Sequence, residues 1–194
     1  MLIGYPCAPM ESQRLVFPNL VEGLVRATGD GVTPALKAQL RERGLDLDKK
    51  FPPAWETTHV KEWFELFAAA KSPGVPREEA LRRLGQGFME GWRGTLVGGA
   101  MSIVLRTIGP DRSLSRLERA FRTGDNFTTV TVTPIETPPP WRLAHIRFNE
   151  VFGCPEYFVG LMEAGSAFVG AKNPEVQLEA LEGPGVLLRV RYQP

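Results

Sequence analysis

A chain of 194 residues, 43% hydrophobic and 23% charged with a formal net charge of +1, has the size and balance of one ordinary globular domain. It lacks the overall basic field of a nucleic-acid binder, and no stretch reaches the roughly 20 apolar residues that a membrane span needs. The start, MLIGYPCAPM, has no basic run ahead of an apolar stretch, so the chain reads as cytoplasmic. Cys7 and Cys154 lie far apart without C-x-x-C spacing, which favours two free thiols over a disulfide framework or a zinc site.

In RLVFPNLVEGLVRATG, Leu20, Leu24, Ala27, Val21 and Val25 fall at helical spacing behind Asn19, an expected N-cap. Thr33-Pro34 opens a second helix carrying Leu36 and Leu40, which Gly44 stops. Pro52-Pro53 resets the chain, and a third helix is expected over about residues 54 to 70, with Trp55, Trp63, Phe64 and Phe67 on an inward face. Pro76, Glu78 and Glu79 start a fourth, expected to run to about Thr107, because proline suits the first turn and acids suit the positive end of the dipole. Gly109-Pro110 ends it, and Ser113 is placed to cap a shorter helix through Phe121.

From Asn126 the period changes. FTTVTVTPI alternates as a strand, Pro138-Pro139-Pro140 separates it from a second strand, WRLAHIRF, and the two are expected to pair. Residues from about Glu156 to Val169 return to helical spacing, and VQLEALEG with GVLLRVRY reads as a hairpin across Gly183-Pro184-Gly185. The expectation is a single α+β domain over 1–194. A helical half, about 14–123, packs on a sheet half, about 126–193, whose four antiparallel strands follow β-β-α-β-β order.

The most unusual segment is LGQGFMEGWRGTLVGGAMSIVL, where Gly87, Gly91, Gly94 and Gly98 line one helical face that Thr95 and Ser102 extend. Each interior glycine costs about 0.5 to 1 kcal/mol relative to alanine, so something must lie against the stripe. Another helix or the sheet at short distance, a ligand in a groove floored by backbone, and a kinked helix are all open. Phe88 and Trp92 flank the stripe, with Phe121, Phe127 and Phe158 as neighbours. Such a set builds either core or an apolar pocket.

His59 and His145 are the only histidines, and neither has a nucleophile or orienting acid that the sequence can place beside it. Cys154 precedes a helix start, where the dipole would favour a thiolate, although no basic neighbour adjoins it. Arg112, Arg116 and Arg119 fall on one expected helical face, suited to an anion or to plain solvent exposure. Phosphate-loop, dinucleotide, nucleophile-elbow and zinc-helix motifs are absent from the sequence. No catalytic residue, metal or cofactor is therefore assigned.

The run VFPNLVEGLVRA, LRERGLDLDKKFPPAWE, SPGVPREEALRRLGQGFMEGWRGTLVGGA and RTIGPDRSLSRLERAFRTGDNFTTV resembles an uncharacterised paralogous family from myxobacteria, classed as a domain of unknown function. Its most specific parts are Leu84 to Gly99, and Phe121-Arg122 ahead of Asn126-Phe127-Thr128. The resemblance implies no activity. The order of elements, with PEYFVGLMEAGSAFVG as crossover helix, also looks like the fold of haem-based nitric-oxide sensors, four-vinyl-reductase domains and Golgi tethering subunits. The Tyr-x-Ser-x-Arg motif of those haem sensors does not occur in this chain, and the last strands carry no cysteine. What the resemblance implies is a hydrophobic pocket between helices and sheet.

Two readings follow. In the first, a sensory or binding domain holds a small apolar ligand at Phe88, Gly91, Trp92, Thr95, Gly98, Phe121, Phe127 and Phe158. In the second, the chain is a protein-interaction or homodimerisation module without a ligand. An enzyme is the least favoured alternative.

Overall fold

The computed structural model describes residues 13–135 and 137–194, and Cys7 lies outside them. Strand β1 (Leu15–Val16) leads into α1 (Pro18–Thr28), whose first turn is occupied by Pro18. The N-cap is therefore Phe17 and not Asn19. Asn19 instead points its amide outward from α1 to the Thr123 hydroxyl at 3.1 Å. Helix α2 (Pro34–Glu42) starts as its sequence predicts, the Thr33 hydroxyl accepting from the Leu36 N–H at 3.3 Å. Gly44 follows it at φ 77°, a conformation that side chains resist.

The third helix begins later than expected. Trp55–Glu56 forms β2 and pairs antiparallel with β1, a 3-10 turn spans Thr57–His59, and α3 covers Val60–Lys71. Pro52-Pro53 holds the preceding chain extended, and an extended Trp55 backbone finds a partner in Val16 that a helix would have forfeited.

Helix α4 (Arg77–Arg93) also stops short of Thr107. Thr95 is extended (φ −81°, ψ 161°) and its hydroxyl accepts from the Gly98 N–H at 3.0 Å, so it caps a new helix, α5 (Leu96–Leu114). Helix α5 kinks at Gly109 (φ 77°, ψ 176°), where Pro110 supplies no N–H. Ser113 is no cap: its hydroxyl donates to the Leu105 carbonyl at 3.1 Å. A turn at Ser115–Arg116 then leads into α6 (Leu117–Phe121). Arg112, Arg116 and Arg119 thus fall on α5, the turn and α6, and share no continuous helical face.

The second half follows the expected order: β3 (Val130–Ile135), β4 (Arg142–Phe148), α7 (Pro155–Phe168), β5 (Lys172–Glu182) and β6 (Gly185–Gln193). All neighbours in the sheet are antiparallel, in the order β3-β4-β6-β5, with Gly183 at φ 62° turning the last hairpin. The class is α+β. In the central pair, Ile146 faces Leu188 and Phe148 faces Val186, all fully buried. The alternate positions His145, Arg147 and Arg189 point outward to Glu179 and Glu182. This alternation makes one face of the sheet a core surface and the other a solvated field of ion pairs.

Helix α7 covers the apolar face, setting Phe158 against Phe148 with ring centroids 5.0 Å apart. Helix α4 packs on α7 almost backbone to backbone: a side chain at Gly85 would begin 2.0 Å from the Tyr157 carbonyl oxygen, and one at Gly160 2.0 Å from that of Arg82. On the far side of α4, a Cβ at Gly91 would lie 2.5 Å from the Gly23 carbonyl oxygen of α1. The layers therefore run sheet, α7, α4, α1, and one contiguous set of buried apolar residues passes through all of them.

Candidate functional site

Because α5 leaves the line of α4 at Gly94 and bends again at Gly109, it does not fill the side of the α4–α7 pair. It covers it at a distance, supplying Leu105 and Leu114, and α6 adds Leu117 and Phe121. Between these elements and the α4–α7 pair lies a cavity of about 130 Å³. Phe88, Met89 and Trp92 of α4 line it, with Tyr157, Phe158, Leu161, Met162, Gly165 and Ser166 of α7, Phe64 of α3, and Asn19 and Leu20 of α1. The rings interlock edge to face: Phe64 and Tyr157 are 4.6 Å apart, Phe88 and Tyr157 5.8 Å, Tyr157 and Phe158 5.4 Å. Phe121 stacks on Phe158 at 6.1 Å.

The polar side chains of the wall divide into two kinds. Asn19 donates to Thr123 and accepts from the Thr95 hydroxyl at 2.9 Å, Thr123 donates to the Ala120 carbonyl, and Ser113 to that of Leu105. Asp125 accepts from the Phe127 and Thr128 N–H groups at 3.0 and 2.6 Å and from the Thr128 hydroxyl at 2.7 Å. Burial holds its carboxyl above the ordinary range despite those donors. The Tyr157 and Ser166 hydroxyls, by contrast, have no hydrogen-bond partner among the described residues, although these residues are only 1% and 4% exposed. Burial pushes the Tyr157 phenol well above its usual value, so it stays protonated at neutral pH.

Of the eight residues singled out in the sequence, Phe88, Trp92, Phe121 and Phe158 line this cavity. The other four lie elsewhere. Gly91 seats α1, and Thr95 caps α5 and bonds Asn19. Gly98 lies at the α4–α5 corner, where a Cβ would fall 1.9 Å from the Trp92 carbonyl oxygen. Phe127 packs edge-on to Phe152 at 5.6 Å under the Arg14 guanidinium. No strand of the sheet contributes to the wall, because α7 occupies the place where the sheet was expected to face the glycine helix. Gly87, Gly91 and Gly94 do floor a separate shallow groove, together with Arg26, Lys71 and Glu90, but Lys71 already donates to the Ala27 carbonyl at 2.5 Å.

The remaining chemical candidates stand apart from one another. His59 is half exposed, 4.0 Å from Glu62, and His145 pairs with Glu179 at 3.0 Å on the outer sheet face. Cys154 is fully buried beside Arg77, and burial pushes its thiol up to about 12, which overrides any gain from the helix start. Among the described residues no three His, Cys, Asp or Glu side chains gather where they could hold a metal ion, and no helix is long and apolar enough to cross a membrane. Tyr157, Ser166 and Phe64 were not among the sequence candidates. Their helical spacing marks them only as buried, and the missing partners are a property of the packing.

Among solved structures the chain is similar to an oxygen-binding H-NOX domain related to soluble guanylate cyclases, in its oxygen complex. The TM-score is 0.64 and the identity 14%, over 89% of this chain and 92% of that one. A structure described by the modulation of haem redox potential through porphyrin distortion gives 0.63 and 14%, over 90% and 98%. A variant of the H-NOX domain of T. tengcongensis gives 0.56 and 15%, over 81% and 85%. At such identities the likeness is one of fold. No curated protein matches the sequence. Residues 14–193 match the model of a family described as "Protein of unknown function (DUF2378)".

Proposed function

We infer that the chain, which belongs to the DUF2378 family, binds a small apolar molecule between α4, α5, α6 and α7 as the ligand-holding part of a sensory domain. The cavity of about 130 Å³ carries this reading. The space is partly open to solvent, so what drives a ligand into it is the apolar wall it would cover, at about 25 cal/mol per Å². An apolar cavity of about 150 Å³ in another protein takes up benzene or xenon, which sets the size class. The shared core of the helical and sheet halves supports taking them as one domain.

A fold likeness to H-NOX structures raises haem, and the residues present do not fit it. Among the described residues no histidine or cysteine is in the wall: His59 and His145 lie on the surface and Cys154 is buried beside Arg77. No arginine or lysine lines the cavity to receive the carboxylates of a haem, and the volume suits a single ring and not a macrocycle. The likeness supports a pocket at this place in the fold, with different contents.

Native mass spectrometry of the purified protein, compared with its denatured mass, tests the reading. A small added mass lost on denaturation is expected; a bare chain that also fails to take up toluene would refute it. A second reading has its own observation. On the outer face of α5, Leu96, Val97, Ile103 and Val104 recur at helical spacing with exposures of 92, 42, 71 and 51%. Such a stripe fits a second copy of the chain or another protein. A dimer in the same spectrum that Ile103→Glu returns to monomer would favour it.

A further inference from the structure

We propose that the outer side of α5 and α6 docks on an anionic membrane surface, its aliphatic side chains entering the interface and its arginines meeting lipid phosphates. The inner sides of both helices face the cavity through Leu105, Leu114, Leu117 and Phe121, so their exposed residues form the outer side of one layer. On that side Leu96, Val97, Ala100, Ile103 and Val104 recur at helical spacing, and no charged residue interrupts the run from Leu96 to Leu105. Charge is the second, independent observation. Arg106, Arg112, Arg116 and Arg119 are all exposed, and among the described residues none pairs with a carboxylate. The acids of the segment are engaged elsewhere: Asp111 accepts from the Tyr192 hydroxyl at 2.7 Å and pairs with Arg142, and Glu118 pairs with Arg122. Residues 96–122 thus hold five arginines against two acids in a chain whose net charge is only +1. The arginines need no common helical face, because a bilayer offers anionic headgroups across a whole plane.

This combination selects the occupant. A second copy laid on the stripe would bring the unpaired arginines of both chains together with no free acid of the segment to receive them. A protein partner anchors mainly in aromatic rings and pocketed arginines, and among the described residues no aromatic side chain is exposed on this side. A bilayer interface takes aliphatic side chains without a matching shape, and its phosphates supply the missing partners.

Flotation of the full chain with lipid vesicles tests the proposal. Vesicles of phosphatidylcholine mixed with phosphatidylserine are expected to carry the protein up, phosphatidylcholine alone about tenfold less, and added salt should release it. Leu96→Ser/Ile103→Ser and Arg112→Gln/Arg116→Gln/Arg119→Gln should each weaken binding about tenfold or more, with unfolding curves like the wild type's because these side chains are exposed. Lys49→Gln/Lys50→Gln/Lys172→Gln removes the same charge from other elements and should float like the wild type. Absence of flotation with phosphatidylserine, or a loss in the lysine variant equal to that in the arginine variant, would overturn the proposal. A dimer in light scattering that Leu96→Ser/Ile103→Ser dissociates, with vesicles left unbound, would overturn it in favour of a second copy.

Discussion

Replacing Tyr157 by phenylalanine should make the protein more stable. The ring is 1% exposed and held edge-on by Phe64, Phe88 and Phe158, contacts that phenylalanine keeps. The hydroxyl has no partner among the described residues, so the folded state carries a desolvation cost of about 1 to 3 kcal/mol that the substitution removes. Losing one oxygen forfeits a few dispersion contacts, roughly 0.5 kcal/mol. The net gain is about 1 kcal/mol, which for a chain of this length raises the Tm by about 2 to 4 °C. The pH dependence has a definite sign. Burial raises the phenol in the folded state, so above about pH 10 the unfolded chain releases this proton first and stability falls as pH rises. Tyr157→Phe should remove that part of the alkaline decline. Thermal and urea unfolding followed by circular dichroism at pH 7 and pH 10.5 measure both effects. A loss of 1 kcal/mol or more at pH 7 would show that the hydroxyl is bonded in the folded state and would refute the reasoning.

Other substitutions probe the layers around the cavity. Gly85→Ala, whose Cβ would meet the Tyr157 carbonyl at 2.0 Å, should cost about 3 kcal/mol by wedging α4 from α7, measured by urea unfolding. Gly165→Ala lies on the same pair of helices, but its Cβ would sit 3.8 Å from the Met89 sulfur; a gain of about 0.5 to 1 kcal/mol in stability and weaker uptake of toluene are expected. Cys154, held to about 12 by burial, remains a thiol in the folded chain while the unfolded thiol ionises near 9. Stability should therefore fall as pH rises from about 9, by roughly 1 kcal/mol at pH 10, and Cys154→Ala should lack that component in pH-dependent unfolding curves.

Much of the architecture was legible because it is written in local patterns. The alternation in FTTVTVTPI and WRLAHIRF, the Thr33-Pro34 helix start and the Gly183 turn each specify their element without reference to neighbours. The breaks were harder. Thr95 looks like a member of the glycine face until its hydroxyl is seen capping Gly98, and Trp55 looks helical until β1 offers its backbone a partner. The glycines show the same limit. Gly91 was singled out, and α1 does lie against it, yet Gly85 and Gly160, which set the α4–α7 distance, are off the stripe, since what demands them is another helix's carbonyl group. In the cavity, Phe88, Trp92, Phe121 and Phe158 could be picked out as clustered aromatics. Tyr157 and Ser166 could not, because an absent hydrogen bond has no signature in sequence.

The most direct test of the central claim is a crystal structure of the protein under xenon pressure, since xenon enters dry apolar cavities of this size without needing a polar contact. The account predicts a xenon site between Phe88, Trp92, Phe121 and Leu161, in the space between α4, α5, α6 and α7. Side chains closed over that space, with no xenon bound there, would contradict it.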